Sequence, residues 1–342
     1  MAALVEFTAD GLYCPPADIY IDPWNPVEKA VITHAHADHA RWGHQYYLAH
    51  QDSESILRYR LGDDINMETL SYGETLHING VELSMYPAGH IIGSAQIRLE
   101  YRGEVWVISG DYKLEEDGYC PAFEAVRCHT FITESTFGLP VYHWKKQNEV
   151  IDEIHQWWQG NQQLGKSSLL SAYSLGKAQR ILSNLDLNIG PVFLHGAIYN
   201  TNEVLRKKGH SLPYCQKLTS DIRKTDIQNA LVIAPPSATQ STWAKRLKNH
   251  SNGIVSGWMA VRGMKRRRAA DRGFILSDHA DWDGLNRAVK ATEAERVYVT
   301  HGYTSAFSRW LQEQGYEAYE VKTLYEGETA ENDTDSRDIE SD

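Results

Sequence analysis

The chain has 342 residues, 42% of them hydrophobic, which is long enough for two lobes and apolar enough to bury a sizeable core. Its four cysteines (Cys14, Cys120, Cys128, Cys215) stand apart with no Cys-x-x-Cys pair, which argues against a zinc ribbon and a disulfide framework. The net charge of −11 speaks against a nucleic-acid partner only until it is divided: 326–342 hold eight acidic residues and one arginine, leaving −4 for the rest.

That acidic stretch has almost no large apolar residues and reads as a disordered tail. Arg262, Lys265, Arg266, Arg267, Arg268 and Arg272 form a compensating basic run. No segment approaches the roughly 20 apolar residues of a membrane helix, and no basic region with a long apolar run opens the sequence. With reduced thiols, the expectation is a soluble cytoplasmic protein with no membrane partner.

In chain order, 17–22 reads as a strand ending in Asp22, and 30–33 as a short buried strand that delivers a histidine cluster. Residues 81–86 and 105–108 are further strands, the latter stopping at Ser109-Gly110-Asp111, and 131–134 repeats the pattern at Glu134. From about 146 the texture alternates helix and strand. Helical spacing covers 148–158 and 176–185, and 168–172, 191–194, 230–233 and 253–256 read as buried parallel strands. After Arg272 come 274–276 and 296–300, each leading to a histidine. The simplest architecture is α/β: a β-rich lobe interrupted by an inserted α/β lobe and then completed. Trp157-Trp158 reads as packing rather than a stacking platform, and His44, His50, His143 and His195 lack ligand spacing.

The chemistry concentrates in His34-Ala35-His36-Ala37-Asp38-His39. Imidazole and carboxylate suit zinc or manganese, and four such groups in six residues after a strand serve two adjacent metals. One cluster cannot close two coordination spheres. Further ligands are expected at other strand ends: His90 after a glycine that permits a sharp turn, Asp111 as a possible bridge, and His301.

This series, His-x-His-x-Asp-His, then Gly-His, then a strand-end aspartate, resembles the metallo-β-lactamase superfamily, an αββα sandwich. Thr133-Glu134-Ser135-Thr136-Phe137-Gly138 looks like motif A of the β-CASP nucleases, Ser277-Asp278-His279-Ala280-Asp281 like motif B, and His301 like motif C. The lobe between Glu134 and His279 falls where that family inserts its β-CASP domain. The narrower resemblance is to the bacterial ligase-associated DNA exonucleases, related to Artemis-like repair nucleases. It rests on Gly11-Leu12-Tyr13-Cys14-Pro15, Ile21-Asp22-Pro23-Trp24 and 128–134, and covers about residues 8–320.

The resemblance implies a metallo-β-lactamase domain at 1–145 and 273–325, a β-CASP domain at 146–272, and the tail at 326–342. It implies that His34, His36 and His90 bind one metal, that Asp38, His39 and His301 bind a second, and that Asp111 bridges them. Asp22 orients a ligand histidine. Asp38, Glu134 and His279 form the catalytic set, with His279 the proton donor to the leaving oxygen and Glu134 its support. Two divalent cations, zinc or manganese, lower the pKa of a water to give hydroxide and neutralise the phosphate.

The expected activity is 5′-to-3′ hydrolysis of DNA in repair, with an ATP-dependent DNA ligase and a helicase as partners by family. His301 leaves RNA open, because a histidine at motif C is more typical of the RNA-processing members. A non-catalytic scaffold is the third reading, against which stands the filled state of every ligand position.

A second phosphate site is expected at Ser174, Gly176 and Lys177, within a segment that resembles a recurring β-CASP stretch. A glycine turn opening a helix leaves amide hydrogens and a favourable dipole for an anion, and Lys177 adds a mobile charge. Ser256, Gly257 and Arg262 are read as bordering the nucleic-acid groove, with Trp258 either stacking on a base or buried beside a solvated basic helix.

Overall fold

Short runs of β-branched and aliphatic residues, each stopped by a polar turn, build the strands of the computed structural model, which describes residues 3–239, 241–261, 263 and 270–323. The acidic tail, Arg262 and 265–268 lie outside the described residues. The chain divides into two units. The first takes the chain through Glu116, Cys120–Tyr142 and the described residues from Asp278 onward; the second takes Asp117–Tyr119 and His143–Ser277.

In the first unit, one sheet runs in chain order: β1 (Glu6–Phe7), β2 (Leu12–Cys14), β3 (Ile19–Ile21), β4 (Lys29–Ile32), β5 (Tyr46–His50) and β6 (Met67–Leu70). The facing sheet comprises β7 (Thr75–Ile78), β8 (Val81–Pro87), β9 (Ala95–Tyr101), β10 (Glu104–Ile108) and β11 (Thr130–Glu134). Two strands from much later in the chain, Arg296–Thr300 (β18) and Glu317–Glu320 (β19), complete it in the order β19-β18-β11-β10-β9-β8-β7. Alternation along the strands sends Ile21, Val31 and Leu48 from one sheet and Leu83, Ile97 and Trp106 from the other into a shared core. Removing each such side chain from water contributes roughly 1.5–3 kcal/mol.

The opposite face of the second sheet carries Val107, Phe131, Val297 and Val299. They pack against Leu285 and Val289 of helix Trp282–Thr292 and Phe307 and Leu311 of helix Thr304–Glu313. Helix Glu54–Leu61 follows β5 and buries Ile56 and Leu57. The result is an αββα sandwich.

The second unit is a parallel sheet of β12 (Ser167–Ser171), β13 (Val192–Leu194), β14 (Gln216–Lys217), β15 (Leu231–Ala234), β16 (His250–Val255) and β17 (Arg272–Phe274), ordered β14-β13-β15-β12-β16-β17. Central strands β13 (VFL) and β15 (LVIA) are continuous apolar runs, as a parallel sheet covered on both faces requires, whereas β12, β14, β16 and β17 carry polar residues. Helix Gln147–Gln163 presents Val150, Ile151, Ile154 and Trp158 at helical spacing to that core. Trp157 donates to Ser251 Oγ at 3.1 Å and packs edge-on against Phe274. The run at 274–276, read from sequence with the completed β-rich lobe, instead enters this sheet through Arg272–Phe274, pairing parallel to β16.

Candidate metal centre

All the residues expected to hold metal lie in the first unit, on loops that leave strand ends. The parallel pairing of β3 and β4 sets Asp22 beside Thr33. Asp22 Oδ1 accepts from the Thr33 amide at 2.7 Å, and Oδ2 accepts from the Thr33 hydroxyl at 2.5 Å. Asp22 Oδ2 also meets His39 Nδ1 at 2.7 Å, turning the opposite ring nitrogen, Nε2, towards Asp111. After β4 the chain tightens: the amides of His39 and Ala40 both donate to the carbonyl of His36, at 3.2 and 2.8 Å. This brings His39 back against His34, with ring centroids 4.1 Å apart.

His90 follows β8 by way of Gly89, which sits at φ +76. A Cβ there would lie 2.2 Å from the Lys113 carbonyl oxygen, so only glycine allows this approach. His90 Nδ1 donates to the Asp278 carbonyl at 2.7 Å, which fixes the proton on Nδ1 and leaves Nε2 with its lone pair. That Nε2 lies 3.0 Å from His36 Nδ1.

Asp111, at the end of β10, occupies the middle. Its Oδ2 is 3.6 Å from His34 Nε2, 3.6 Å from His39 Nε2, 3.8 Å from His90 Nε2 and 4.0 Å from His279 Nδ1. Its Oδ1 is 4.0 Å from His301 Nε2. His301 leaves β18 in the left-handed region at φ +54.

The fold therefore gathers His34, His36, His90 and Asp111 into one group whose ligand atoms lie within 4.8 Å of one another, and Asp38, His39 and His301 into another. Asp111, Glu134 and His279 form a third. Glu134 ends β11 and meets His279 Nδ1 with both oxygens, at 3.0 and 2.9 Å. It also accepts from the Tyr112 amide at 2.8 Å.

Burial and mutual repulsion keep the imidazoles of His34, His90 and His301 neutral, the form that can bind a cation. Burial, with Glu134 and Asp38 adding, pushes the Asp111 carboxyl up to about 7 against the pull of His39 and His279. Burial and the neighbouring imidazoles hold His34 and His90 well below the usual histidine range, and burial takes His301 down to about 3. Burial opposes charge on His39 too, but Asp111, Asp38 and Asp22 outweigh it and raise that imidazole to about 10. Burial likewise works against the Asp38 anion, yet His39, His36 and His301 prevail and hold it at about 2. The buried Nε2 of His34 and Oδ1 of Asp111 have no hydrogen-bond partner among the described residues. Buried polar atoms without partners are costly, and a mixed imidazole and carboxylate set suits divalent cations. The residues present fit a pair of them.

The expected phosphate site differs from its sequence reading. Lys177 is fully buried, its ammonium 4.7 Å from the centroid of the Tyr173 ring, so it is no mobile charge. The Gly176 amide is taken by Gln179 Oε1 at 2.7 Å, and Gln179 Nε2 donates to the Ser174 carbonyl at 2.8 Å. The helix that follows is only Lys177–Leu182, too short to supply the expected dipole. Ser256 and Gly257 are buried, the Ser256 hydroxyl accepting from the Trp258 amide at 3.2 Å. Arg262 is outside the described residues.

Sequence reasoning missed Thr33 and Ser135. Thr33 ties Asp22 to the strand that delivers the histidines, and the Ser135 hydroxyl donates to the His301 carbonyl. The sequence signal of Thr33 is only a small hydroxyl at the tip of a buried strand, whereas Ser135 lies within the segment resembling motif A, where no role is read for it.

No family model matches the chain. It is 30% identical over 314 residues, 91% of its length, to a protein named probable DNA ligase from Opitutus terrae, of which it spans 30%. It is 22% identical to cleavage and polyadenylation specificity factor 73 of Drosophila melanogaster, covering 82% of this chain and 49% of that one. It is 26% identical to endoribonuclease YSH1 of Yarrowia lipolytica, covering 71% of this chain and 36% of that one. The chain thus spans half or less of the length of these relatives. A crystal structure of a protein of unknown function from Enterococcus faecalis V583 shares the fold, with a TM-score of 0.56 at 12% identity over 88% of this chain and 80% of that one. The histidine and aspartate loops, the αββα sandwich, the interrupting parallel sheet and these relatives are together consistent with the β-CASP metallo-β-lactamase nuclease family.

Proposed function

We propose that this chain is a metal-dependent phosphodiesterase acting on DNA, a 5′-to-3′ exonuclease of repair that works beside a ligase and a helicase. The observation that carries the hydrolytic reading is Asp111, whose carboxylate stands within about 4 Å of five imidazoles drawn from four loops. DNA and ligation enter through the relative named as a DNA ligase.

Under this reading His34, His36 and His90 would hold one cation and Asp38, His39 and His301 a second, with Asp111 available to either set; zinc is the first choice and manganese the second. Such a pair lowers the pKa of a water and screens the charge on phosphate oxygens. The protein's own part is orientation and proton transfer. Asp22, set by the pairing of β3 with β4, fixes the ring of His39, and the Asp278 carbonyl fixes the ring of His90. His279 gives a proton to the leaving oxygen through its Nε2. Glu134 binds the opposite nitrogen, and its carboxyl is held below the usual range although burial opposes this, because His279 stabilises the anion by charge and hydrogen bond.

The second reading is an RNA-processing ribonuclease, favoured by the relatives named endoribonuclease and cleavage factor. End-labelled single-stranded DNA and RNA 20-mers, each with and without a 5′ phosphate, separate the two when digested with added zinc or manganese. A ladder shortening from the 5′ end of DNA is expected. Preferential loss of RNA would transfer the assignment to the second reading, and no hydrolysis of either would end both.

A further inference from the structure

Among the described residues, the most exposed large apolar side chain is Trp42, with 74% of its surface in water. Single exposed apolar residues are ordinary, so exposure alone decides nothing. Position does. Trp42 belongs to the loop that carries His34, His36, Asp38 and His39, and that loop is tied down on every side. The Ala40 amide donates to the His36 carbonyl at 2.8 Å, Tyr47 Oη donates to the Arg41 carbonyl at 3.0 Å, and the His44 amide donates to Tyr47 Oη at 3.1 Å. Gly43 then turns the chain at φ +105, where an added Cβ would press on Pro26 at 3.3 Å. The indole is therefore presented by a rigid support, and four residues place its Cα within about 14 Å of that of Asp38.

Two guanidinium groups are bonded to this loop, one from within it and one from a neighbouring helix. Arg41 Nε donates to the Asp38 carbonyl at 3.4 Å, and Arg60, from helix Glu54–Leu61, donates to the Ala35 carbonyl. An aromatic face beside fixed positive charge is how proteins hold a single nucleic-acid strand: the rings stack on bases and the cations follow the phosphates. A protein partner would be expected to find a wider apolar patch here, whereas Trp42 is flanked by Arg41 and Gly43.

We infer that Trp42, with Arg41 next to it in the chain and Arg60 bonded to the same loop at Ala35, is a base-stacking platform for a single DNA strand whose scissile phosphate lies at the Asp111 centre. The inference rests on the nuclease reading and names the strand contact that reading lacks in this unit. Base stacking on an aromatic ring is sequence-tolerant, so the platform adds affinity and register without specifying a base.

The test uses the full chain as purified and a fluorescein-labelled phosphorothioate 20-mer DNA that resists hydrolysis, read by anisotropy. Trp42→Ala should weaken binding about tenfold or more, and Trp42→Phe should recover most of the loss because a ring is restored. Leu164→Ala, an exposed apolar residue in the second unit, should bind like wild type. On a cleavable 20-mer, Trp42→Ala should raise KM far more than it lowers kcat. Wild-type affinity in Trp42→Ala would overturn the platform, as would an equal loss in Leu164→Ala or a loss confined to a matched RNA. Wild-type turnover together with any of these leaves the nuclease reading standing. Absence of wild-type turnover on every phosphodiester would remove that reading, and the platform with it.

Discussion

The hydroxyl of Ser135 donates to the backbone carbonyl of His301, a residue 166 positions further along the chain. His301 sits at φ +54, a conformation that costs a non-glycine residue of order 1–3 kcal/mol and persists only when its surroundings hold it. Gly302 completes the clamp: at φ +68, an added Cβ would lie 2.4 Å from the Ser135 carbonyl oxygen. Ser135→Ala should therefore loosen His301 and weaken metal affinity about 10–100-fold, the usual effect of removing a partner that orients a ligand. Competition with a chromophoric chelator measures it, and unaltered affinity would make the clamp purely structural. Gly302→Ala should destabilise the fold more than Ser135→Ala, because it adds both a clash and a disfavoured φ.

His279 and Glu134 can be separated from metal binding. His279→Ala should lower kcat by about 10²–10⁴-fold, the range for loss of a positioned acid or base, while bound metal stays near wild type. Metal analysis beside single-turnover rates checks both quantities. Loss of metal in that variant would make His279 a ligand. Glu134→Gln should slow turnover less than His279→Ala, since it leaves the imidazole present and withdraws only the charge that supports its proton.

Asp111 tests the shared centre. Asp111→Ala should abolish turnover and reduce bound metal, because the carboxylate faces imidazoles of both proposed cation sites. Chelation of the wild type should lower Tm by several degrees, since a ligand present at about 100 times its Kd stabilises the native state by about 2.7 kcal/mol. Calorimetry with and without chelator reads this, and the shift should shrink in Asp111→Ala. An unchanged Tm on chelation would argue that these side chains hold no cation.

How much of this was legible in sequence depended on whether the signal was local. His34 to His39 could be read directly, because the ligand types are contiguous and follow a buried strand whose alternation is visible. His90, Asp111 and His301 could be suspected from strand ends, but their convergence depends on sheet order, which pairs β18 beside β11 and β11 beside β10. Thr33 and Ser135 escaped notice because their importance lies in partners 11 and 166 residues away. Lys177 misled for the opposite reason. A lysine after a glycine reads as a solvated charge, whereas the fold buries its stem and sets its ammonium over the Tyr173 ring. The run at 274–276 was similarly ambiguous, since an apolar strand carries no mark of the sheet it will join.

Three histidines outside the candidate metal centre should make stability depend on pH. His44, His50 and His195 each accept a backbone amide hydrogen through Nδ1, from Val27 at 3.2 Å, Asp52 at 3.2 Å and Ala197 at 3.1 Å. Burial lowers each imidazole to about 4. Their ordinary value is about 6.5, so between those limits the unfolded chain binds more protons than the folded one, and stability rises with pH. The contribution is complete above about 6.5 and is progressively lost as pH falls towards 4, where a proton on Nδ1 would also break the bond. Urea midpoints should therefore drop between pH 7 and pH 5. His195→Asn should flatten that dependence without a large loss at pH 8, because asparagine caps helix Gly196–Lys207 equally well and does not titrate. If the variant kept the wild-type slope, His195 would contribute nothing to it, and the acid sensitivity would belong to other groups.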